Sequence, residues 1–340
     1  MPRDRHGRPL RHLRLSVTDH CNLRCRYCMP AEDYVWLPRE DILRFEEIER
    51  LARIFLSLGV DRIRLTGGEP LLRRELEGLI QRLAALPGLR DLALTTNGVL
   101  LAGRARALRQ AGLQRLTVSL DTLRPERFHA LTQRDGLDGV LAGIEAARLA
   151  GFQPLKLDTV LIRGFNDDEI GPLLAWARDG GMELRFIEYM DVGGARDWRP
   201  ERVVPRTEIL ERVRALHGEP EPLPGRGSAP AQRYRLPGGQ VFGIVASTTT
   251  PFCGDCDRVR LTADGHLLTC LYAREGLDLR TPLRRGASDG EIAAILRGVW
   301  ETREDRGAER RLEERKQAPA AWSLEELEGN PHLEMHTRGG

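Results

Sequence analysis

The chain has 340 residues, of which 52 are basic and 50 acidic, so its formal net charge is only +2. This length predicts one large or two medium domains with a core of their own, and the near-neutral charge excludes an overall nucleic-acid-binding character. A polar, Arg-rich start and the lack of an 18-residue apolar run predict a cytoplasmic protein with reduced thiols and no membrane span.

Short apolar segments alternate with amphipathic segments over the first 190 residues. We predict strands at residues 12–17, 61–66, 91–96, 115–120, 155–162 and 183–189. Apolar spacings of three and four predict helices at residues 45–58, 75–86, 101–111, 140–150 and 168–178. The alternation predicts an α/β fold with a parallel sheet, either open or closed partway into a barrel, and both forms bind ligands beyond the carboxyl ends of the strands.

Polar residues follow four of the predicted strands. They are the Gly-Gly-Glu-Pro segment at 67–70, Thr-Thr-Asn-Gly at 95–98, Ser-Leu-Asp at 119–121 and Glu-Tyr-Met at 188–190. Glycine pairs and Asn-Gly are also ordinary turn residues. Their recurrence beside a cysteine-rich loop predicts a site at this edge of the sheet.

The strand–helix pattern weakens after about residue 190. Residues 219–231 are rich in Pro, Gly and Ser and predict a linker or surface loop between a first domain at 1–218 and a C-terminal region at 232–340. Within that region we predict a hairpin at 232–246 turning at Gly238 and Gly239, and a helix at 289–300 capped by Ser288. The charged stretch 301–316 predicts a solvated helix or loop.

The six cysteines form two triplets. They are Cys21, Cys25 and Cys28, then Cys253, Cys256 and Cys270. Closely spaced thiols in a reducing compartment predict a metal or a cluster. A [4Fe–4S] cluster held by three thiolates keeps one iron open for another ligand. Structural zinc is the alternative, with His20 as a fourth ligand of the first triplet.

Three basic residues stand out locally. The chain has only two lysines, so Lys156 within a predicted strand indicates a need for a compact ammonium, with chance retention as the alternative. Arg258 and Arg260 follow Cys256 and point to one face if the segment is extended. They predict a phosphate-type anion site beside the second triplet, against the alternative of a solvated basic edge.

The first triplet, with the aromatic Tyr27 before Cys28, resembles the signature of the radical S-adenosylmethionine (SAM) superfamily, and residues 67–70 resemble its second motif. Residues 14–19, 65–73 and 253–270 and the terminal Gly339 and Gly340 are similar to the molybdenum cofactor biosynthesis protein A family, the GTP 3′,8-cyclases. This resemblance covers nearly the whole chain.

The resemblance implies a partial (β/α)6 TIM-like barrel with a smaller C-terminal α+β extension that carries a second iron–sulfur cluster. It implies a lyase that uses SAM and two [4Fe–4S] clusters to convert GTP to (8S)-3′,8-cyclo-7,8-dihydroguanosine 5′-triphosphate. The product is the first intermediate of molybdenum cofactor biosynthesis. The first triplet would hold the cluster that binds SAM, and the second triplet the cluster that faces guanine.

The resemblance also implies site residues. Those for SAM are the Tyr27 backbone, Gly68, Ser119 and Met190. Those for GTP are Arg14, Arg64, Thr95, Lys156, Arg258, Val259 and Arg260. The residues implied for catalysis are Arg14, Lys156, Gly339 and Gly340, with the double glycine inserted toward the site. The sequence contains no phosphate-binding Gly-x4-Gly-Lys loop, so Arg and Lys side chains would hold the triphosphate, with Arg62, Arg73 and Arg185 as further candidates.

The implied partners are a flavodoxin- or ferredoxin-type electron donor, a downstream cyclic pyranopterin monophosphate synthase and a second copy in a homodimer, but neither nucleic acid nor membrane. Two alternatives stay open from the sequence. One is a peptide-modifying radical SAM maturase, which would carry further cysteines. The other is a zinc-binding scaffold associated with nucleic acid through its arginines.

Overall fold

The structure is a computed structural model that describes residues 1–29, 34–193, 195, 197–315, 321–322 and 324–339. Its strands are β1 (His12–Ser16), β2 (Arg62–Thr66), β3 (Asp91–Thr96), β4 (Arg115–Ser119), β5 (Lys156–Leu161), β6 (Glu183–Glu188), β7 (Glu221–Pro222), β8 (Gln232–Arg235), β9 (Val241–Val245), β10 (Arg258–Leu261), β11 (His266–Leu268) and β12 (Leu277–Asp278).

The helices lie mostly between the parallel strands. They are α1 (Phe45–Ser57), α2 (Leu76–Ala84), α3 (Ala105–Gln110), α4 (Pro125–Thr132), α5 (Leu137–Leu149), α6 (Ile170–Asp179), α7 (Arg206–His217), α8 (Arg280–Arg284), α9 (Asp289–Glu301), α10 (Gly307–Glu314), α11 (Leu324–Gly329) and α12 (Met335–Arg338). None of those in the described residues combines the length and apolar character that crossing a membrane requires.

One sheet contains all twelve strands, in the order β12-β11-β10-β1-β2-β3-β4-β5-β6-β9-β8-β7. Strands β1 to β6 are parallel neighbours in chain order. The predicted α/β alternation is therefore confirmed, and within the described residues the sheet is open, with β12 and β7 at its edges.

The C-terminal region extends this sheet at both sides. Strand β10 pairs in parallel with β1, and β9 pairs in parallel with β6. The predicted hairpin is present as β8 and β9, and the turn residue Gly239 has φ +84°, which glycine adopts without strain. The sheet thus continues across the predicted linker, which itself contributes the short strand β7.

The core lies between the sheet and the helices that cover one face. Side chains alternate along each parallel strand, so that Leu13, Leu15, Ile63 and Leu65 are at most 1% exposed and pack into this core. Ser288 caps α9 as predicted, with its hydroxyl accepting from the amide of Glu291. The residues between the core positions face the other way and are mostly polar, which places the candidate site on the opposite face.

Candidate active site

The first cysteine triplet lies in the loop that follows β1, at the carboxyl ends of the parallel strands. The amide of Cys28 donates to the Cys25 carbonyl (2.8 Å), which tightens the loop. The amides of Arg24 and Arg26 donate to Thr132 and Leu131 at the end of α4, at 2.8 and 3.0 Å. The loop is therefore fixed to the protein by its backbone, which leaves the three thiols available as ligands.

Tyr27 is held by its side chain. Its hydroxyl donates to Asp121 Oδ2 (2.7 Å), and Asp121 Oδ1 accepts from the amide of Val160 (2.7 Å). Burial raises the pKa of Asp121 to about 6 and that of Tyr27 well above its ordinary value. The Tyr27 side chain is therefore fixed toward Asp121, and a contact of its backbone with SAM stays a prediction.

The segment 67–70 packs against the backbone that leads to Cys21. The amide of Gly68 donates to Thr18 O (3.0 Å) and that of Glu69 to His20 O (2.7 Å). A Cβ at Gly68 would lie 2.3 Å from His20 O and 2.5 Å from Asp19 O. Glycine is therefore required here for close packing of two backbones, independently of any ligand.

Buried carboxylates lie at two of the predicted polar strand ends, where they hold neighbouring loops together, a role that the sequence did not show. Glu69 accepts from the amides of Leu71 (2.9 Å) and Asn97 (2.7 Å) and from the hydroxyl of Thr96 (2.7 Å). Glu188 accepts from the amides of Thr248 and Thr249, at 2.9 and 2.8 Å. Each carboxylate joins the loop after one strand to a neighbouring loop, so the carboxyl edge of the sheet is rigid.

The structure brings most of the predicted GTP residues together on what we call the polar face. Its members by register include Arg14, Arg64, Thr95, Thr117, Ser119, Lys156, Asp158, Arg185, Arg258 and Arg260. Arg14 is the register partner of Arg64 on one side and of Arg260 on the other. Arg64 donates to the hydroxyls of Thr95 (3.0 Å) and Thr117 (3.1 Å).

The cations of the polar face destabilise one another. Burial, followed by the charges of neighbouring arginines, lowers the pKa of Arg14 well below its ordinary value and those of Arg64 and Arg260 to about 10. Burial and Arg185 lower the pKa of Lys156 to about 8, although Glu183 Oε1 lies 4.0 Å from its Nζ. Such a group of buried cations is suited to a polyanionic ligand.

The other residues predicted to contact GTP have different surroundings. The side chain of Val259 is fully buried in the core, on the reverse of Arg258 and Arg260, so only its backbone could touch a ligand. Arg73 does not join the polar face, because its guanidinium donates to Leu43 O (2.9 Å) and lies over the Phe45 ring. Arg62 begins β2 on the same side as Arg64, next to His12 in register, and its guanidinium lies 3.6 Å from Asp61. Arg185 is on the polar face but pairs with Glu183 (2.9 Å).

The two remaining residues predicted for SAM lie at strand ends. Ser119 ends β4 on the polar face, opposite Asp158. Met190 follows β6 and packs partly buried against a small cluster that includes Val192 and Trp322. Together with Gly68 after β2, they surround the carboxyl edge where the first triplet lies.

The C-terminal tail reaches the polar face. Arg260 Nη1 donates to Gly339 O (2.7 Å) and Arg338 O (2.9 Å), and Ser16 Oγ donates to Thr337 O (3.1 Å). Gly339 has φ +71°, and a Cβ there would lie 2.4 Å from Thr66 Cγ2. The tail therefore fits between β1, β2 and β10. Gly340 lies outside the described residues.

The second triplet begins just before β10 and is bordered by arginines. Arg258 Nη2 lies 3.4 Å and Arg303 Nη2 3.6 Å from Cys256 Sγ. Burial opposes ionisation of this thiol, but the two guanidiniums outweigh it and lower the pKa of Cys256 to about 7. Arg303 stacks on Trp300. It was not predicted as a site residue, because nothing in the sequence distinguishes it from the many other arginines.

Helix α10 begins against the same triplet. The amides of Ala308 and Glu309 donate to the sulfur of Cys253, and a Cβ at Gly307 would lie 2.8 Å from Cys270 Sγ. The charged stretch thus contains a helix whose amino end faces two of the cysteines. Burial raises the pKa of Cys253, and the two backbone amides oppose that rise by favouring the thiolate form.

In neither cysteine triplet do all three sulfurs lie within 4.8 Å of one another. Three sulfurs bound at about 2.3 Å to one zinc would lie about 3.8 Å apart. Among the residues that the structure describes, only Asp264, His266 and His332 form a group of three metal-ligating atoms all within 4.8 Å of one another. His20, the predicted fourth zinc ligand, stacks on Trp36 at 4.5 Å. Neither triplet therefore has the compact spacing that one zinc ion requires.

Comparison with known proteins adds two family matches and close relatives. Residues 15–177 match the radical SAM superfamily, and residues 182–309 match the family described as Molybdenum Cofactor Synthesis C. The chain is 53% identical to "GTP 3',8-cyclase 1" of Mycobacterium tuberculosis, over 99% of this chain and 95% of that protein. It is 52% identical to "GTP 3',8-cyclase" of Acidothermus cellulolyticus, over 91% and 88%.

A solved structure shows the same fold at low sequence identity. Streptococcus suis SuiB bound to S-adenosylmethionine has a TM-score of 0.59 and 16% identity, over 85% of this chain and 68% of that one.

Proposed function

The chain belongs to the GTP 3′,8-cyclase family within the radical SAM superfamily, and on that premise we propose that its polar face holds GTP between two [4Fe–4S] clusters. The chain is an enzyme that converts GTP to (8S)-3′,8-cyclo-7,8-dihydroguanosine 5′-triphosphate in molybdenum cofactor biosynthesis. The placement of its ligands is our proposal.

The polar face lines a partial (β/α)6 barrel in this proposal, with the C-terminal strands as an extension. Adjacent strands lie about 4.8 Å apart, so β1 and β5 would be about 19 Å apart in a flat sheet. Burial and Arg260 lower the pKa of Arg14 on β1, and the charge of Asp158 on β5 partly opposes them. Strong curvature of the sheet, with its polar face inside, accounts for that interaction.

The two triplets have different roles in the proposal. Cys21, Cys25 and Cys28 would hold the cluster that, with bound SAM, supplies the 5′-deoxyadenosyl radical. The Tyr27 backbone, Gly68, Ser119 and Met190 would contact SAM at the same edge of the sheet. The second triplet would hold a second cluster at the amino end of β10, beside Arg258, and this cluster would face the guanine of GTP.

The single observation that carries GTP binding is the group of buried cations on the polar face. Arg14, Arg64, Arg260 and Lys156 all have pKa values lowered by burial and by neighbouring cations. A triphosphate would reverse that penalty, because each buried cation would gain an anionic partner. These side chains would thereby orient GTP along the strands between the two triplets.

The tail would complete the site. Gly339 offers backbone and no side chain where β1, β2 and β10 meet, and Arg260 binds its carbonyl. We propose that Gly339 and Gly340 restrict the space around the nucleotide and exclude water from it. The proposed catalytic residues are therefore Arg14, Lys156 and the two terminal glycines.

The test is an anaerobic assay with GTP, SAM and a reductant. We expect about eight irons per chain in the loaded protein, with 5′-deoxyadenosine and the cyclised nucleotide formed together. Cys21→Ala should abolish SAM cleavage, whereas Cys270→Ala should keep some cleavage and lose the cyclised product. Stoichiometric zinc without iron, or SAM cleavage by Cys21→Ala at the wild-type rate, would refute the assignment of the triplets.

The relatives weigh against the two alternatives from the sequence. The relatives that are 50–54% identical are named as GTP 3′,8-cyclases, which weighs against a peptide-modifying maturase. The open spacing of the thiols weighs against a zinc scaffold. The flavodoxin- or ferredoxin-type donor, the cyclic pyranopterin monophosphate synthase and the homodimer stay predictions.

A further inference from the structure

A cluster of three metal-ligating side chains lies apart from both cysteine triplets. Asp264 occupies the turn between β10 and β11, His266 begins β11, and His332 belongs to the short 3-10 helix Pro331–Leu333 that precedes the tail. His332 Nε2 lies 2.8 Å and His266 Nδ1 3.1 Å from the same oxygen, Asp264 Oδ2. Residues distant in sequence thus converge on one carboxylate.

The arrangement of these three groups suits a single divalent ion. The hydroxyl of Thr262 donates to the other carboxylate oxygen, Oδ1, so Asp264 is fixed with Oδ2 facing the two rings. The Asp264 side chain is 4% exposed, while those of His266 and His332 are 23% and 22% exposed, so an ion could enter from solvent. A tetrahedral zinc with nitrogen and oxygen ligands at about 2.0–2.1 Å separates them by about 3.3 Å, close to the present spacing.

We propose that Asp264, His266 and His332 form a binding site for a zinc-class divalent cation, with a fourth position open to water. Two imidazoles and one carboxylate are the ligand types that such ions take in proteins. The site is distinct from the clusters because none of its ligands is a cysteine, and it joins the β10–β11 turn to the 3-10 helix before the tail.

The ion would also fasten the tail. His332 O accepts from Arg338 Nε, and the next residue, Gly339, is bound by Arg260 on the polar face. An ion shared by His332 and the β10–β11 turn would therefore fix residues 332–339 to the sheet. Zinc binding does not depend on the proposed GTP site. A failure of one proposal therefore leaves the other standing.

The first test is zinc binding to the full chain with its clusters loaded, after treatment with a chelator. We expect one equivalent of Zn²⁺ by calorimetry, and binding at least 10-fold weaker in His332→Ala and in Asp264→Asn, which alter different segments. His129→Ala is the matched control, since His129 Nδ1 also lies 2.9 Å from a carboxylate, that of Asp135, but is 58% exposed. This variant should bind zinc as the wild type does.

The second measurement identifies the ligands. Zinc K-edge X-ray absorption should show only nitrogen and oxygen neighbours at about 2.0–2.1 Å, and a sulfur shell at about 2.3 Å would place the ion on cysteines. The proposal is overturned by that sulfur shell, by equal zinc affinity in wild type and both site variants, or by no binding at micromolar zinc.

The third measurement addresses the tail. Hydrogen exchange at the amides of residues 332–339 should slow at least severalfold when Zn²⁺ is added to wild type. It should be unchanged by zinc in His332→Ala. If zinc does not change the exchange rates in the wild type, the proposal that the ion fixes the tail is wrong.

Discussion

Individual buried charges decide what this fold can bind. Lys156 was singled out because the chain has only two lysines, and the structure places it on the polar face between Thr117 and Glu183. The cysteine triplets could also be predicted from the sequence, because the cysteines of each triplet are close together along the chain. Arg303 was not, because it reaches Cys256 from 47 residues away and is one arginine among very many.

Lys156 should make GTP binding depend on pH. Burial and Arg185 lower its pKa to about 8, so it loses its proton as pH rises through 8, and a bound triphosphate would raise that pKa again. We expect GTP affinity to fall above pH 8 by up to about 10-fold per pH unit, with uptake of a proton on binding. Calorimetry in buffers of different ionisation enthalpy measures both.

The variant Lys156→Arg keeps the positive charge and tests whether the lysine itself is needed. Its planar guanidinium replaces a compact ammonium, so we expect GTP binding about 10-fold weaker at pH 7 despite the same charge. Because arginine stays protonated, the additional loss above pH 8 should disappear. The same pH profile in both proteins would contradict the role given to Lys156.

Arg303 should tune the second cluster. Its guanidinium lies 3.6 Å from Cys256 Sγ and is 1% exposed at the side chain. Replacement by methionine removes a positive charge that favours the reduced cluster, so the reduction potential should fall by on the order of 50 mV. A redox titration followed by electron paramagnetic resonance measures it.

The control for this variant is Arg297→Met, on the exposed side of α9. It removes the same charge from the protein without a contact to a cysteine, so the potential should stay within about 10 mV of wild type. An equal shift in both variants would indicate a general charge effect and refute the specific role of Arg303.

Among the secondary-structure elements, the parallel strands were predictable from the sequence. Some of the helices and the hydrogen bonds between the loops at the strand ends were not. All six strands β1 to β6 follow from apolar segments in the sequence, because they are buried by the helices on one face. Helices α4 and α7 were missed. Only Ile209 and Val213 are buried in α7, so its apolar pattern is too weak to detect. Two partners of Glu69, Thr96 and Asn97, could not be predicted either, since they lie at the end of the next strand, distant in sequence.

Glu69 shows what these links contribute. Gln at this position keeps the shape but cannot accept from Leu71, Thr96 and Asn97 together, since one oxygen becomes an NH2 group. We expect Glu69→Gln to lower the free energy of unfolding by about 1–3 kcal/mol. Urea denaturation of the cluster-loaded protein under anaerobic conditions measures the change.

The pH dependence adds a second criterion. Burial raises the folded-state pKa of Glu69 to about 7, above its unfolded value. Its contribution to stability is therefore fully present below the unfolded pKa and is lost as pH rises toward 7. Glu69→Gln should remove this part of the pH dependence, whereas Glu126→Gln, at an exposed position in the first turn of α4, should change stability much less and keep this pH dependence.

Over the whole molecule, the two triplets lie at opposite ends of neighbouring strands. Cys21 follows the carboxyl end of β1, while Cys256 precedes β10, which runs parallel to β1 from His12↔Arg258 onward. Four residue steps along β1 span about 13 Å, so the polar face between the triplets can hold a nucleotide. The sequence alone could not show this, because it does not reveal that β10 pairs with β1 across about 240 residues.

The tail tests whether this space must be closed for the reaction. At Gly339 a Cβ would lie 2.4 Å from Thr66 Cγ2 and 3.0 Å from Ser16 Oγ, with φ at +71°. Gly339→Ala should displace the tail, which would admit water beside the nucleotide. We expect formation of the cyclised product to fall at least 10-fold while 5′-deoxyadenosine is still released, because the first triplet is not altered.

Gly329→Ala is the matched control, since a Cβ there meets nothing within 4 Å. It makes the same substitution ten residues earlier and should keep the ratio of cyclised nucleotide to 5′-deoxyadenosine at the wild-type value. If Gly339→Ala kept that ratio as well, the tail would be an anchor for the chain end and no part of the reaction chamber. A change in the ratio with unchanged thermal stability would instead show that closure of the polar face couples radical formation to attack on GTP.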